Sequence, residues 1–334
     1  MPEPSTKSLA MLEQRSGLLP FLRLLWAFSR PHTIIGTTLS VVALGVMAAV
    51  LPSPLQLTSG GNPALATISI LLALIPSLCA NIYIVGLNQL TDINIDRINK
   101  PNLPLASGRF SFVQATWIVA IMGGLAIILA AIHGPILLAT VIVSMTIGTC
   151  YSLPPIRLKR FPFWAAFCIF GVRGIVVNLG FYLYFSNLFG GFNQFPLASL
   201  FIPPEVWALS QFVILFTLAI AFLKDIPDLE GDRIFHVLTL TVRLGAGRVF
   251  KLSSWILTLC YLLLISYAAL GLLPSANPYF LILSHLGLLA LFWKQSGTID
   301  TSNLKNVRQY YQFIWKLFFL EYILFPLALV LPHH

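Results

Sequence analysis

The sequence predicts an all-α protein, a polytopic bundle of nine membrane-spanning helices. Apolar residues make up 57% of its 334 residues and charged residues only 9%, whereas soluble domains average roughly 45 to 50% and about 25%. Apolar runs long enough to cross a bilayer, about 18 residues or more, recur along the chain. Basic residues are confined almost entirely to alternate connectors between those runs. These observations exclude a soluble class and indicate helices that satisfy their own backbone polar groups in lipid.

Nine candidate spans follow one another along the chain. The length of each span is close to the about 20 residues that a helix needs to cross the hydrocarbon core. They cover residues 33–51, 66–90, 114–132, 134–151, 163–185, 205–223, 249–272, 277–293 and 312–331. We expect residues 1–30 to form an N-terminal tail and residues 31–334 to form one transmembrane domain. Within the tail, the apolar segment 17–29 predicts a short helix lying in the membrane interface.

The distribution of Lys and Arg predicts the orientation of the bundle. Of the 20 basic residues, 19 lie before span 1 or at the connectors after spans 2, 4, 6 and 8. Because Lys and Arg concentrate in cytoplasmic connectors, we predict a cytoplasmic N-terminus and a C-terminus on the opposite side. The same bias accounts for most of the net charge of +9, so nucleic acid is not expected as a partner.

Six of the 11 acidic residues lie in two short clusters at the predicted cytoplasmic face. The first follows span 2, where Asn88, Asp92 and Asp96 are spaced i, i+4, i+8 and therefore share one helical face. The second follows span 6 and reads Lys224-Asp225-Ile-Pro-Asp228-Leu-Glu230-Gly-Asp232. Here Asp228 and Asp232 are one turn apart, and Glu230 points elsewhere. A bundle can bring the two clusters face to face across a cavity.

Two facing carboxylate clusters surrounded by bases favour magnesium and a diphosphate. Mg²⁺ usually takes one or two protein carboxylates while substrate phosphates complete its shell, and nearby bases neutralise the remaining charge. Neither cluster fits a calcium loop. The alternative is that the acids are solvated loop residues paired with neighbouring bases. The predicted metal ligands are Asn88, Asp92, Asp96, Asp225, Asp228 and Asp232, of which Asp92, Asp96, Asp228 and Asp232 are the predicted catalytic set; Lys100, Arg157, Lys159 and Lys224 are the predicted diphosphate-binding residues.

These motifs resemble those of the UbiA-type intramembrane aromatic prenyltransferases, and especially the homogentisate prenyltransferase branch. Asn88-xxx-Asp92-xxx-Asp96 followed by NKPNLPLASG at 99–108 is similar to the first aspartate motif. The segment 224–232 is similar to the second motif and YSLPPIRLKR at 151–160 to the basic loop. Arg30-Pro-His32-Thr and Arg173-Gly-xxx-Asn178-Leu-Gly also resemble that branch.

The resemblance implies a UbiA-type fold and a Mg²⁺-assisted transfer of a prenyl group to homogentisate, with decarboxylation. Phytyl is the first-ranked prenyl group, which would place the reaction in tocopherol biosynthesis. The expected partners are a prenyl diphosphate, an aromatic acceptor and the lipid bilayer, while protein partners stay open. The location would be a plasma or thylakoid membrane if the source is a cyanobacterium. A carboxylated acceptor needs a cation and hydrogen-bonding groups, and the candidates are Arg30, His32, Arg173 and Asn178.

Several alternatives stay open at the level of sequence. The donor can instead be geranylgeranyl or solanesyl diphosphate, and the acceptor 4-hydroxybenzoate or a chlorophyllide, since those enzymes share the same metal chemistry. A cation-binding membrane transporter is the alternative from another class. Transporters usually place ionisable groups near the bilayer midplane on broken helices, whereas the six clustered acids lie at one predicted face.

Overall fold

A computed structural model describes residues 17–51, 63–190, 201–235 and 237–332, and these ranges are almost entirely helical and contain no strand. The N-terminal half contains α1 Leu18–Phe28, α2 Pro31–Val50, α3 Pro63–Thr91, α4 Ile93–Asn99, α5 Phe112–Ile132 and α6 Pro135–Ser152. The C-terminal half contains α7 Pro162–Phe189, α8 Pro204–Leu223, α9 Leu229–Ile234, α10 Leu240–Leu244, α11 Ala246–Ala269, α12 Pro278–Ser296 and α13 Leu304–Val330. A 3₁₀ turn, Leu158–Arg160, precedes α7.

All nine predicted spans coincide with long helices in the described ranges. Eight of them are long and apolar enough to cross a membrane, namely α2, α3, α5, α6, α7, α8, α11 and α13. The remaining one, α12, has 19 residues, and polar His285 and Lys294 lower its hydropathy. It still runs antiparallel to α13, because the Asn277 amide donates to the Ala328 carbonyl at one end (2.8 Å) and Ser296 Oγ lies 2.7 Å from Tyr310 Oη at the other. The chain is an integral membrane protein.

Local sequence explains where these helices begin and end. Proline occupies the first position of α2, α6, α7, α8 and α12, where its missing N–H would have no helical partner. Ser111 and Gln114 form a reciprocal capping box at the start of α5. Close packing then depends on small residues: a Cβ added to Gly148 of α6 would lie 2.8 Å from Ile84 of α3. Small side chains of this kind let membrane helices approach each other.

Most of the largest fully buried side chains are aromatic, and several of them lie between the C-terminal helices. Tyr261 of α11 packs edge-on against Phe212 of α8, with ring centroids 5.4 Å apart, and Phe216 of α8 packs against Phe318 of α13 at 5.6 Å. Outward-facing apolar residues such as Trp117 and Trp255 stay 64% exposed, as expected of surfaces that meet lipid. These aromatic contacts pack α8 against α11 and against α13.

The short elements collect at one end of the bundle. There α3, α6 and α8 end, and α4, the 3₁₀ turn and α9 lie in the connections that lead from them to α5, α7 and α11. Helix α1 forms over the segment in which an interfacial helix was predicted. Its Phe28 is buried against Phe110, with ring centroids 5.6 Å apart, while Leu18 and Leu19 are 74% and 70% exposed. This end of the bundle carries both acidic clusters.

Candidate active site

Two connected cavities lie where the acidic clusters meet. The outer chamber, of about 790 Å³, is lined by all the predicted metal ligands together with Lys100, Lys159 and Lys224. The inner chamber, of about 280 Å³, lies between α2, α3, α6, α7, α8 and α13 and is mainly apolar. The residues that line both chambers, and so mark their junction, are Arg30, His32, Asn88, Tyr151, Lys224 and Tyr311.

The first acidic cluster lies on a helix that is interrupted rather than continuous. Helix α3 ends at Thr91, Asp92 departs from helical geometry (φ −117°, ψ 14°), and α4 begins at the next residue. Asn88 Nδ2 donates to Asp92 Oδ2 at 2.9 Å, and the Asp96 amide donates to the Asp92 carbonyl at 2.8 Å. The prediction of a single helical face is therefore corrected in its geometry, although all three residues line the outer chamber as expected.

The second cluster is joined to the first by one close backbone approach. After α8 ends, Asp225 and Asp228 lie in a turn and Asp232 lies in α9. The amide of Gly231 donates to Asn99 Oδ1 of α4 at 3.0 Å, and a Cβ at Gly231 would lie 2.4 Å from that oxygen. Only glycine fits this contact, and it brings the two acidic clusters face to face.

Bases neutralise most of the outer chamber's carboxylates. Asp92 is paired with Lys159 and with Arg157, whose Nη2 lies 3.1 Å away. Lys100 Nζ donates to Asp228 Oδ2 at 2.5 Å and lies 3.9 Å from Asp96 Oδ1. The remaining close pairs are Arg30 with Asp96 at 3.8 Å and Lys224 with Asp225 at 3.5 Å. Lys224 Nζ also donates to the Tyr151 hydroxyl at 3.1 Å.

Asp96 and Asp232 are outer-chamber carboxylates whose charge is incompletely compensated. Burial, together with the charges of Asp225 and Asp228, raises the pKa of Asp232 to about 7. Burial also raises the pKa of Asp96 above its usual range, against the opposing effect of Arg30 and Lys100. The Oδ2 atom of Asp96 is buried and accepts no hydrogen bond. Buried oxygens without donors are positions where a cation can be bound.

The donor set fits a metal that is bound jointly with a phosphate ligand. Within the described ranges, no three His, Cys, Asp or Glu residues lie close enough together to hold an ion by themselves. Mg²⁺ commonly binds through one or two carboxylates and the phosphate oxygens of a substrate. The carboxylates of Asp96 and Asp232, which face the same chamber, suit that mode of binding.

The predicted acceptor residues divide into two groups. Arg30, His32 and Arg173 line the inner chamber, and the His32 ring lies 4.9 Å from that of Trp315. Asn178 is fully buried away from the described chamber linings and accepts a hydrogen bond from the Tyr322 hydroxyl at 2.8 Å. Its position indicates a polar contact between α7 and α13.

One predicted phosphate ligand also lies apart from the others. Arg157 lines a neighbouring cavity of about 600 Å³ together with Arg97 and Arg160. It contacts the outer chamber only through its ion pair with Asp92. Lys159 lines both cavities.

Sequence reasoning missed several buried polar residues. Glu321 and His285, both fully buried, lie 3.0 Å apart between α12 and α13, and Glu205 accepts a hydrogen bond from the Ser275 amide at 2.9 Å. These acids occur singly in apolar surroundings, so no spacing pattern indicates them. Tyr311 was missed as well, although it lies one helical turn before Trp315 and lines the junction.

The comparison with known proteins identifies the family. The sequence model of the UbiA prenyltransferase family matches residues 31–317. The chain belongs to the UbiA prenyltransferase family. This membership confirms the resemblance inferred from the aspartate motifs, and it makes the protein a prenyltransferase rather than a transporter.

UbiA relatives of known function match most of the chain. It is 49% identical to homogentisate phytyltransferase from Synechocystis sp. over 92% of this chain and 96% of that protein. It is 40% identical to homogentisate phytyltransferase 1 of Arabidopsis thaliana, over 90% of this chain and 74% of that one. A homogentisate geranylgeranyltransferase from Hordeum vulgare is 37% identical over 94% of this chain and 74% of its own length.

Solved structures of UbiA proteins share the fold. A UbiA homologue from Aeropyrum pernix K1 in its apo form superposes with a TM-score of 0.63 at 18% identity, covering 90% of this chain and 97% of that one. A homologue from Archaeoglobus fulgidus bound to GPP and Mg²⁺ gives a TM-score of 0.57 at 16% identity, covering 92% and 100%. At these identities the likeness concerns the fold, and it confirms the predicted UbiA-type helical bundle.

Proposed function

We propose that this UbiA-family protein transfers a phytyl group from phytyl diphosphate to homogentisate, in tocopherol biosynthesis. The near full-length similarity to homogentisate phytyltransferases supports the substrate pair. The structural observation that carries the proposal is the junction of a charged outer chamber with an apolar inner chamber. A diphosphate ester of a long isoprenoid has the same two-part character.

The outer chamber is proposed to bind the diphosphate. Asp92, Asp96, Asp228 and Asp232, supported by Asn88 and Asp225, would hold Mg²⁺ together with the phosphate oxygens. When bound, Mg²⁺ neutralises the negative charge that develops on the leaving diphosphate. Each of the three lysines, Lys100, Lys159 and Lys224, is paired with a carboxylate of this chamber. On donor binding, each lysine would exchange its carboxylate for a phosphate oxygen. Arg157 acts from the neighbouring cavity by holding Asp92.

The reaction exchanges one carbon–oxygen bond for one carbon–carbon bond. The allylic C–O bond of the donor breaks and its electron pair leaves with diphosphate, while a ring carbon of homogentisate attacks the allylic carbon. That ring carbon loses a proton, and the carboxymethyl group loses CO₂ and gains a proton at its benzylic carbon. The apolar walls of the inner chamber exclude water, which would otherwise capture the allylic cation.

The orientation of the protein belongs to the same proposal. With the N-terminus in the cytoplasm, the outer chamber and the basic connectors both lie on the cytoplasmic side. The similarity to a Synechocystis enzyme suggests a cyanobacterial plasma or thylakoid membrane. Proteolysis of exposed connectors in sealed, oriented vesicles measures this orientation directly.

The phytyl donor rests on similarity alone. Phytyl and geranylgeranyl chains have equal length and differ in saturation, and in an apolar pocket even a methylene group changes binding by only about 1 to 3 kcal/mol. Geranylgeranyl and solanesyl diphosphates are therefore the alternatives that must be tested beside phytyl diphosphate.

Competition assays with purified protein and Mg²⁺ test the proposal. Homogentisate should be prenylated in preference to 4-hydroxybenzoate and chlorophyllide, with release of one diphosphate and one CO₂ per product. Preference for 4-hydroxybenzoate or chlorophyllide would show that homogentisate is not the acceptor. A preference for geranylgeranyl diphosphate would change the donor only.

A further inference from the structure

Arg173 lies inside the membrane span α7, where a charge that serves only to set the orientation of the chain is not expected. It is the one basic residue outside the cytoplasmic connectors and their edges, and it lies in a π-helical segment, Gly171–Val177, within α7. Such segments are rare and concentrate at functional sites. A charge placed inside a membrane span is costly and marks a functional candidate.

Close packing on both sides fixes the position of this arginine. A Cβ added to Gly174 would lie 2.3 Å from the Ile214 side chain and 3.1 Å from its backbone nitrogen, so α7 and α8 are in direct contact there. On the side of α2, a Cβ added to Gly36 would lie 3.1 Å from Arg173 Nη1. Two glycines therefore make room for the helix and for the guanidinium group that lines the inner chamber.

The guanidinium group of Arg173 has aromatic neighbours and no carboxylate partner among the described residues. Its Cζ lies 5.2 Å from the Trp315 ring centroid and 5.9 Å from that of Phe318. Aromatic faces stabilise a cation in part, but they do not supply the hydrogen-bond acceptors that five N–H donors require. The other Lys and Arg residues that line the inner chamber each lie near a carboxylate: Arg30 is 3.8 Å from Asp96 and Lys224 is 3.5 Å from Asp225.

We infer that Arg173 binds the carboxylate of the aromatic acceptor and so selects acidic acceptors. This inference rests on the proposed prenyl transfer to an aromatic ring. A guanidinium group holds a carboxylate through two parallel hydrogen bonds, which fixes orientation as well as position. With its carboxylate at Arg173, the acceptor extends toward the junction lined by His32 and Tyr311, where the inner chamber meets the outer chamber.

The inference separates Arg173 from the other acceptor candidates. Arg30 lies 3.8 Å from Asp96 at the diphosphate end, and Asn178 accepts a hydrogen bond from Tyr322. Arg173 is thus the candidate whose guanidinium group lies within the inner chamber without a carboxylate nearby among the described residues. Gly36 is a positioning residue, because its missing side chain leaves space for the guanidinium group.

A comparison of a charged and an uncharged acceptor tests this role. The acceptors are homogentisate and methylhydroquinone, the same ring with a methyl group in place of the carboxymethyl group, and the variants are Arg173→Gln and Arg173→Lys. Arg173→Gln should lower kcat/KM for homogentisate on the order of a hundredfold, since a buried carboxylate loses its partner. It should change kcat/KM for methylhydroquinone by less than about threefold and leave the KM for the prenyl diphosphate unchanged, since neither ligand loses a charged partner. Arg173→Lys should lie between, because it keeps the charge and loses the paired hydrogen bonds.

Two further variants control for folding and for geometry. Arg243→Gln removes an exposed base and should leave both acceptors unaffected. Gly36→Ala should raise the KM for homogentisate a few-fold, since the guanidinium group must shift by only tenths of an ångström. Equilibrium binding of homogentisate and methylhydroquinone to each variant, measured by calorimetry, repeats the comparison without turnover.

The outcomes distinguish this inference from the proposed function. An equal loss for both acceptors in Arg173→Gln would make the residue structural, and no loss for either would make it dispensable; both results overturn the inference. If the wild-type protein prenylates another carboxylated aromatic instead of homogentisate, the proposed acceptor is wrong. The same variants, tested with that compound and its uncharged analogue, then still decide the role of Arg173.

Discussion

The outer and inner chambers treat charge in opposite ways. In the outer chamber bases and acids are interleaved, as in the pairs Lys100–Asp228 and Lys159–Asp92. In the inner chamber Arg173 has no acidic partner among the described residues and rests on aromatic rings. In the proposed function, the paired bases exchange their carboxylates for a diphosphate and its metal, whereas Arg173 binds one carboxylate. The difference predicts that removing a charge from the outer chamber affects the donor and that removing the charge of Arg173 affects the acceptor.

The largest effect is expected for the carboxylates of the outer chamber. Asp228→Asn should lower turnover on the order of a hundredfold or more, because the developing diphosphate charge loses its metal-binding partner. Glu230→Gln is the matched control, since Glu230 belongs to the same segment but is exposed. The measurement is diphosphate release at saturating and at limiting Mg²⁺. Near wild-type activity of Asp228→Asn at limiting Mg²⁺ would reject its assignment.

A smaller effect, confined to one substrate, is expected for the bases. Lys224→Gln should raise the KM for the prenyl diphosphate roughly tenfold, because the proposed charge-assisted contact with phosphate is lost. The KM for the acceptor should stay unchanged, in contrast to the variants of Arg173. Steady-state kinetics with each substrate varied in turn measures both values. A base that served orientation alone would leave them both unchanged when substituted singly.

Acidic pH should weaken the binding of Mg²⁺ in the outer chamber. Because Asp232 has a pKa of about 7, it is protonated below that pH and then cannot bind a cation. The apparent affinity for Mg²⁺ should therefore fall up to about tenfold between pH 8 and pH 6, as protons compete with the metal. Titrations of activity with Mg²⁺ at each pH measure this. If Asp232→Asn shows the same pH dependence as the wild-type protein, another group is responsible.

The smallest effect is expected at the buried contact between Tyr322 and Asn178, neither of which is among the lining residues of the two chambers. Tyr322→Phe removes the hydrogen bond to Asn178 and should lower the stability of the protein by about 0.6 to 2 kcal/mol, as for other hydrogen bonds between membrane helices. Its kcat/KM for homogentisate should change less than about twofold, because neither residue is proposed to touch the acceptor. Thermal unfolding in detergent and the standard assay measure the two quantities. A tenfold loss of kcat/KM would return Asn178 to the acceptor site.

The features that the sequence predicted correctly are those that depend on residues close together in the chain. Nine apolar segments and two spaced acidic clusters each depend on neighbours in the chain, and all nine segments correspond to helices. The interruption at Asp92 was not predictable, because Asp92 is compatible with a helix and its ion-pair partners, Lys159 and Arg157, come from a distant connector. The separation of Asn178 from the chambers likewise depends on Tyr322, 144 residues away.

The close contact between Gly231 and Asn99 has a consequence for the cost of binding. This hydrogen bond joins α9 to α4 directly, from a backbone amide to a side-chain oxygen. In the proposed function, a fixed contact between the two halves of the diphosphate site reduces the share of the donor's binding free energy that is consumed in assembling them. Preorganisation of this kind leaves more of that free energy for stabilising the transition state than a site closed by its substrate would have.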